Sequence, residues 1–254
     1  MKSFMLSLVS LIWVLPTALA QPAAAPPVTI SLGARHAHVT PSREGFTHTG
    51  GGNIDVAQPA GDTLVVTMTG VAVAGAHPCK NSVASLQFDL EQGLEIGFEK
   101  PEIKRAKLSI EGRVIGLLRS HAKGGGSAEQ GEACATVSGQ GIDPLSFCVA
   151  PHRVSCGENL SLNCREKPVS VSVKAGEYTL HQTLVLTASH PRSLKPCKAA
   201  SAEFAPDPAL DPLWISYWEP FHGAAKKDFG FQITIKVAPD SDGGEKKESE
   251  ARRR

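Results

Sequence analysis

The chain has 254 residues, with 26 Lys and Arg against 25 Asp and Glu. That balance lacks the basic footprint expected of a nucleic-acid binder and argues against tight binding to anionic membranes. Aromatic residues make up 6%, while 24 Gly and 18 Pro indicate a globular, turn-rich chain and not a disordered one.

In chain order, residues 1–20 carry Lys2, an apolar run from Phe4 to Leu15, the breaker Pro16, and Ala18-Leu19-Ala20. This is the layout of a cleavable secretory signal, with cleavage expected after Ala20. The run is too short to span a bilayer, and no later apolar stretch is long enough to do so. The sequence therefore predicts an exported protein, periplasmic, cell-surface or extracellular, without a membrane span after cleavage. Without Lys2 the charges balance. Residues 21–27 form a Pro/Ala-rich leader.

From Val28 onward the dominant period is two. Thr63–Thr69 is β-branched and apolar. Leu86, Phe88 and Leu90 alternate with Gln87, Asp89 and Glu91. Leu94 and Ile96 resume after Gly93, Leu108 and Ile110 follow, and Val114–Leu118 comes after Gly112. Alternation of this kind marks strands with one buried face. Residues 28–123 make a first β half, residues 124–127 a glycine-rich linker or loop, and residues 128–238 a second, cysteine-rich β half. Within the latter, Val169, Val171 and Val173, then Ala175-Gly176-Glu177, then Tyr178 to Leu186 suggest a hairpin. Phe229, Phe231, Ile233, Ile235 and Val237 share one strand face. One short helix is expected near residues 212–219, capped by Asp211 and stopped by Pro220. Residues 239–254 hold five basic and five acidic residues and are expected to be disordered. The fold class is mostly β, an antiparallel sandwich or barrel-like assembly stapled by disulfides.

The cysteines are Cys79, Cys134, Cys148, Cys156, Cys164 and Cys197. An even number behind an export signal points to disulfides, and no close C-x2-C pair suggests zinc. Six allow about 15 connectivities. Counting across the glycine run favours a bond from Cys79 into the second half. The expected set is Cys79–Cys134, Cys156–Cys164 and Cys148–Cys197.

Sites of chemistry are scarce. His36 and His38 lie two apart, so on a strand they share a face. With His48 they are the candidate metal ligands, set against an exposed strand with no metal role. Ser120-His121-Ala122-Lys123 matches S-x-x-K, but K-T-G and S-D-N partners are missing. Trp214, Trp218 and Phe221 are spaced i, i+4, i+7. With Tyr217 they make either a stacking surface for a ligand or a helix closing one end of the β core. No cofactor is expected. The leading expectation is a non-enzymatic β module with a binding or structural role, its partner another envelope or extracellular component. The alternative is an exported hydrolase or metal-dependent enzyme.

Overall fold

The computed structural model describes residues 26–45, 47–120, 126–139, 141–155, 158–192, 200–204 and 229–240. These form thirteen strands and no helix. They are β1 (Val28–Glu44), β2 (Thr47–Ala60), β3 (Thr63–Ala74), β4 (Ser82–Phe98), β5 (Ala106–Arg119), β6 (Ser127–Gly139) and β7 (Leu145–Val149). After them come β8 (His152–Ser155), β9 (Asn159–Arg165), β10 (Val169–Val173), β11 (Gly176–His190), β12 (Ala200–Glu203) and β13 (Gly230–Pro239). The helix expected at 212–219, the export signal expected at residues 1–20 and the tail beyond Asp240 lie outside the described residues.

The strands pair antiparallel in two sheets. The front sheet runs β1-β4-β11-β6-β7, with β8 also on β6. In the back sheet β2 lies beside β3, then β12 and β13 share the next row, then β5, with β9 and β10 along its far side. Strands from both sides of the glycine run share both sheets. In the front sheet the two sets meet once, where β4 pairs with β11. In the back sheet β13 lies between β3 and β5.

The core follows from the period of two. Leu86, Phe88 and Leu90 of β4 and Leu180, Leu184 and Leu186 of β11 point back. Leu64, Val66 and Met68 of β3 and Phe231, Ile233 and Ile235 of β13 point forward to meet them, all buried. Each such side chain contributes about 1.5–3 kcal/mol on leaving water. The closure of this core between two sheets makes the fold a sandwich.

Two glycines that look like punctuation sit inside strands. β4 runs unbroken through Gly93, and β5 through Gly112. At Gly112 a Cβ would stand 2.6 Å from the Phe147 ring. Glycine is there because another group comes close, not because the chain turns.

The expected hairpin is corrected as well. Both strands and the glycine turn exist, with Gly176 at φ 149°. However, β10 pairs with β5 in the back sheet, whereas β11 pairs with β4 and β6 in the front sheet. The turn is a corner between sheets. The β1–β2 connection is another such corner, and polar side chains lace its open edge. Arg35 donates to the Ile54 carbonyl at 2.7 Å, Arg43 to the Thr49 carbonyl at 3.0 Å, and Gln58 to the Ile30 carbonyl at 2.5 Å.

The disulfide pairing differs from expectation. Cys134 bonds Cys148, with Cα atoms 4.1 Å apart, and so neither Cys79 nor Cys197 takes these partners. Register decides this: β6 and β7 place Cys134 directly opposite Cys148 on one face, the geometry of a close cross-strand pair. Cys79 is an exposed free thiol and Cys164 a half-buried one. Cys156 and Cys197 lie outside the described residues.

Candidate functional site

The outer face of the front sheet is built from the alternate residues that the core leaves over. Directly opposed residues of antiparallel strands share a face, so the register reads out whole rows. One row is His36, Glu91, His181, Thr136, Ser146. The next is His38, Asp89, Thr183 and the Cys134–Cys148 bond. His181 Nδ1 stands 3.9 Å from Glu91 Oε2, both side chains about half exposed. Gln87 donates to Asp89 at 3.0 Å.

Toward one end of this face the side chains shrink to glycine. Gly93 of β4 faces Thr179 of β11, which faces Ser138 of β6. Gly33 lies beside Gly93 at a register shift in β1. Together they floor a shallow trough of about 690 Å³. Glu95 and Glu177, directly opposed, stand on its rim. The floor is held from beneath. Buried Gln92 donates through Nε2 to the Gly33 carbonyl at 3.1 Å and the Gly93 carbonyl at 2.9 Å. At Gly139 a Cβ would strike the Tyr178 ring, whose hydroxyl donates to the Lys174 carbonyl at 2.9 Å.

Charge on this face is one-sided. It carries Glu44, Asp89, Glu91, Glu95, Glu129, Glu132 and Glu177, and among its described strand positions Arg153, opposite Glu129, is the one Lys or Arg. Arg35 and Arg43 of β1 turn away to β2. The outer face of the back sheet has the opposite balance. Lys107, Arg113, Arg165 and Lys236 face outward with Asp55 and Glu111. Glu111 is spanned by Arg165 at 3.3 Å and Lys236 at 3.4 Å.

His36 and His38 lie on the outer face of the front sheet, exposed. His48 lies on β2 of the back sheet, paired with Val73. The three are therefore not on one sheet. Among the described residues no group of three His, Cys, Asp or Glu side chains gathers as a metal site. Ser120 is buried at the end of β5 and donates to the Gly126 carbonyl. Trp214, Tyr217, Trp218 and Phe221 lie outside the described residues. Reading the sequence for motifs missed the acidic face. Its signal was Asp89, Glu91 and Glu95, spaced by two and by four on the polar side of one strand.

No family model matches the chain, and no curated protein matches it. Among solved structures, TmCBM61 in complex with beta-1,4-galactotriose is similar over 59% of this chain and 88% of that one, at 9% identity and a TM-score of 0.18. A score that low supports no inference about fold or ligand.

Proposed function

We propose that the chain is an exported, non-enzymatic binding module whose front face docks a partner presenting Lys or Arg side chains. The export part rests on the signal-like first twenty residues, and the site is at the cell envelope or outside the cell. The observation that carries the binding part is the segregation of charge between the two outer faces. A face with seven carboxylates and one arginine repels anionic surfaces and speeds encounter with cationic ones. The glycine-floored trough adds relief: an extended basic chain can lie against bare backbone while its cations reach Glu95 and Glu177.

The test is fluorescence anisotropy of a labelled oligo-arginine peptide titrated with the full mature chain, beside an oligo-glutamate peptide. Binding of the basic peptide alone, weakening as salt rises, is expected. Neutralising the face (Asp89→Asn, Glu91→Gln, Glu95→Gln and Glu177→Gln together) should abolish it. Equal binding of both peptides, or binding untouched by those four changes, would overturn the proposal. So would sedimentation showing that the back face of a second copy already occupies the front face.

A further inference from the structure

At the edge opposite the β1–β2 corner, β8 of the front sheet and β9 of the back sheet bring three side chains together. Cys164 Sγ lies 3.7 Å from His152 Nε2. His152 Nδ1 lies 3.2 Å from Gln130 Oε1. Gln130, fully buried, donates through Nε2 to the Gly131 carbonyl at 2.5 Å. That last bond fixes the rest. It orients the Gln130 amide so that its oxygen faces His152, and an oxygen can only accept. His152 Nδ1 must therefore carry the proton, which leaves the Nε2 lone pair directed at the Cys164 thiol. A nucleophile, a base within reach, and a third group fixing the base make up the arrangement that activates a thiol.

We propose that Cys164 and His152 form a thiol–imidazole pair that captures small disulfides. His152 Nε2 takes the proton from Cys164 Sγ as the sulfur attacks one sulfur of an R–S–S–R molecule. The S–S bond of that molecule breaks and a Cys164–S–S–R bond forms. The departing RS⁻ takes the proton back from His152. One disulfide and one thiol enter, and one mixed disulfide and one thiol leave. The half-buried position between two sheet edges suits a small reagent more than a folded protein. An oxidising compartment supplies such disulfides.

Unassisted, this thiol should be sluggish. Burial pushes its pKa up, a hydrogen bond from the Asn163 backbone pulls it down, and the Glu166 carboxylate adds to the rise. Cys79 is the internal control. It is exposed, and its neighbour His77 is occupied: His77 Nδ1 accepts from the backbone amides of Cys79 at 3.1 Å and Lys80 at 3.2 Å.

The experiment treats the full chain with 5,5′-dithiobis(2-nitrobenzoic acid) at neutral pH and locates the adducts by peptide mapping over time. Cys164 is expected to react about tenfold faster than Cys79, a modest share of what a placed base can give. His152→Ala should remove that lead, and added imidazole should restore part of it. His152→Gln, a milder change, should remove it too, with the melting curve and the Cys134–Cys148 bond unchanged. Three results would overturn the proposal: Cys164 slower than Cys79 in the native chain, a lead that survives both substitutions, or recovery of Cys164 already bonded to another cysteine of the chain.

Discussion

The two outer faces come from one alternating pattern, yet they are used differently. On the front sheet the outward positions of β4 and β11 are mostly polar or glycine, with Val83 and Val185 the apolar exceptions, and all are at least partly exposed. On the back sheet the outward positions change character along each strand. Lys107, Ser109, Glu111 and Arg113 of β5 reach solvent, but Ile115, Leu117 and Arg119 of the same strand are buried. Val71 of β3 and Glu203 of β12 are buried with them. These belong outside the main core, which holds the inward Val114 and Leu118 instead. One face is left open as a surface, and the other is a surface at one end and a second interior at the other.

That difference predicts where a single change does most damage. Within the second interior Arg119 donates to Glu203 Oε1 through Nη2 at 2.6 Å and through Nε at 3.0 Å, with both side chains at most 5% exposed. Arg119→Met would remove the cation that is bonded to a buried carboxylate, at a cost of about 3–5 kcal/mol. Replacing both partners (Arg119→Met with Glu203→Leu) should recover most of that loss in urea denaturation. If the single change costs under about 1 kcal/mol, that end of the back face is not an interior.

The open face has a staple at its edge in place of an interior. Cys134–Cys148 closes a short loop between neighbouring strands. Converting both to Ser should cost about 3 kcal/mol in the chain-entropy picture for a loop of this length. The same denaturation experiment reads this out. A much smaller loss would mean that the β6–β7 register holds without help.

A third change acts between the faces. Gln182 points inward from β11, fully buried, and its amide Nε2 and Oε1 have no hydrogen-bond partner among the described residues. Gln182→Met should raise stability by about 1 kcal/mol or more, because the penalty for an unpaired buried amide disappears. A lower melting temperature would show that the amide is satisfied after all.

How far the sequence announced all this depends on distance along the chain. Leu86, Phe88 and Leu90 against Gln87, Asp89 and Glu91 show, in six residues, a strand and which side is buried. Phe231, Ile233 and Ile235 do the same. Local alternation is enough for those, and it is enough for a β fold. Pairing is another matter. That β11 lies between β4 and β6 depends on residues about ninety apart in sequence meeting, as Glu91 and His181 do, and nothing local encodes it. Gly93 and Gly112 misled for the opposite reason: locally they look like stops, while distant backbone and the Phe147 ring explain them. The cysteines show the same limit. Loop-closure entropy favours long loops but cannot choose partners, and strand register did. The acidic face was half legible, its β4 acids visible as alternation, and its meeting with Glu177 and Glu129 hidden in the topology.

The smallest effect discriminates best between the faces. Glu95 and Glu177 are directly opposed like charges, which weakens a sheet slightly. Glu95→Gln with Glu177→Gln should therefore leave folding stability unchanged or raise it by a few tenths of a kcal/mol. The same pair stands on the rim of the trough. Removing it should weaken oligo-arginine binding about threefold to tenfold, up to ~1.4 kcal/mol. Stability and binding then move in opposite directions, the mark of residues kept for a partner and not for the fold. The matched change on the back face, Arg165→Gln with Lys236→Gln, breaks the exposed bridges to Glu111. Such bridges are worth under about 1 kcal/mol, and binding of the basic peptide should not weaken. If the two double variants shift peptide affinity by the same factor, the front face has no special role and charge on the whole molecule is the better explanation.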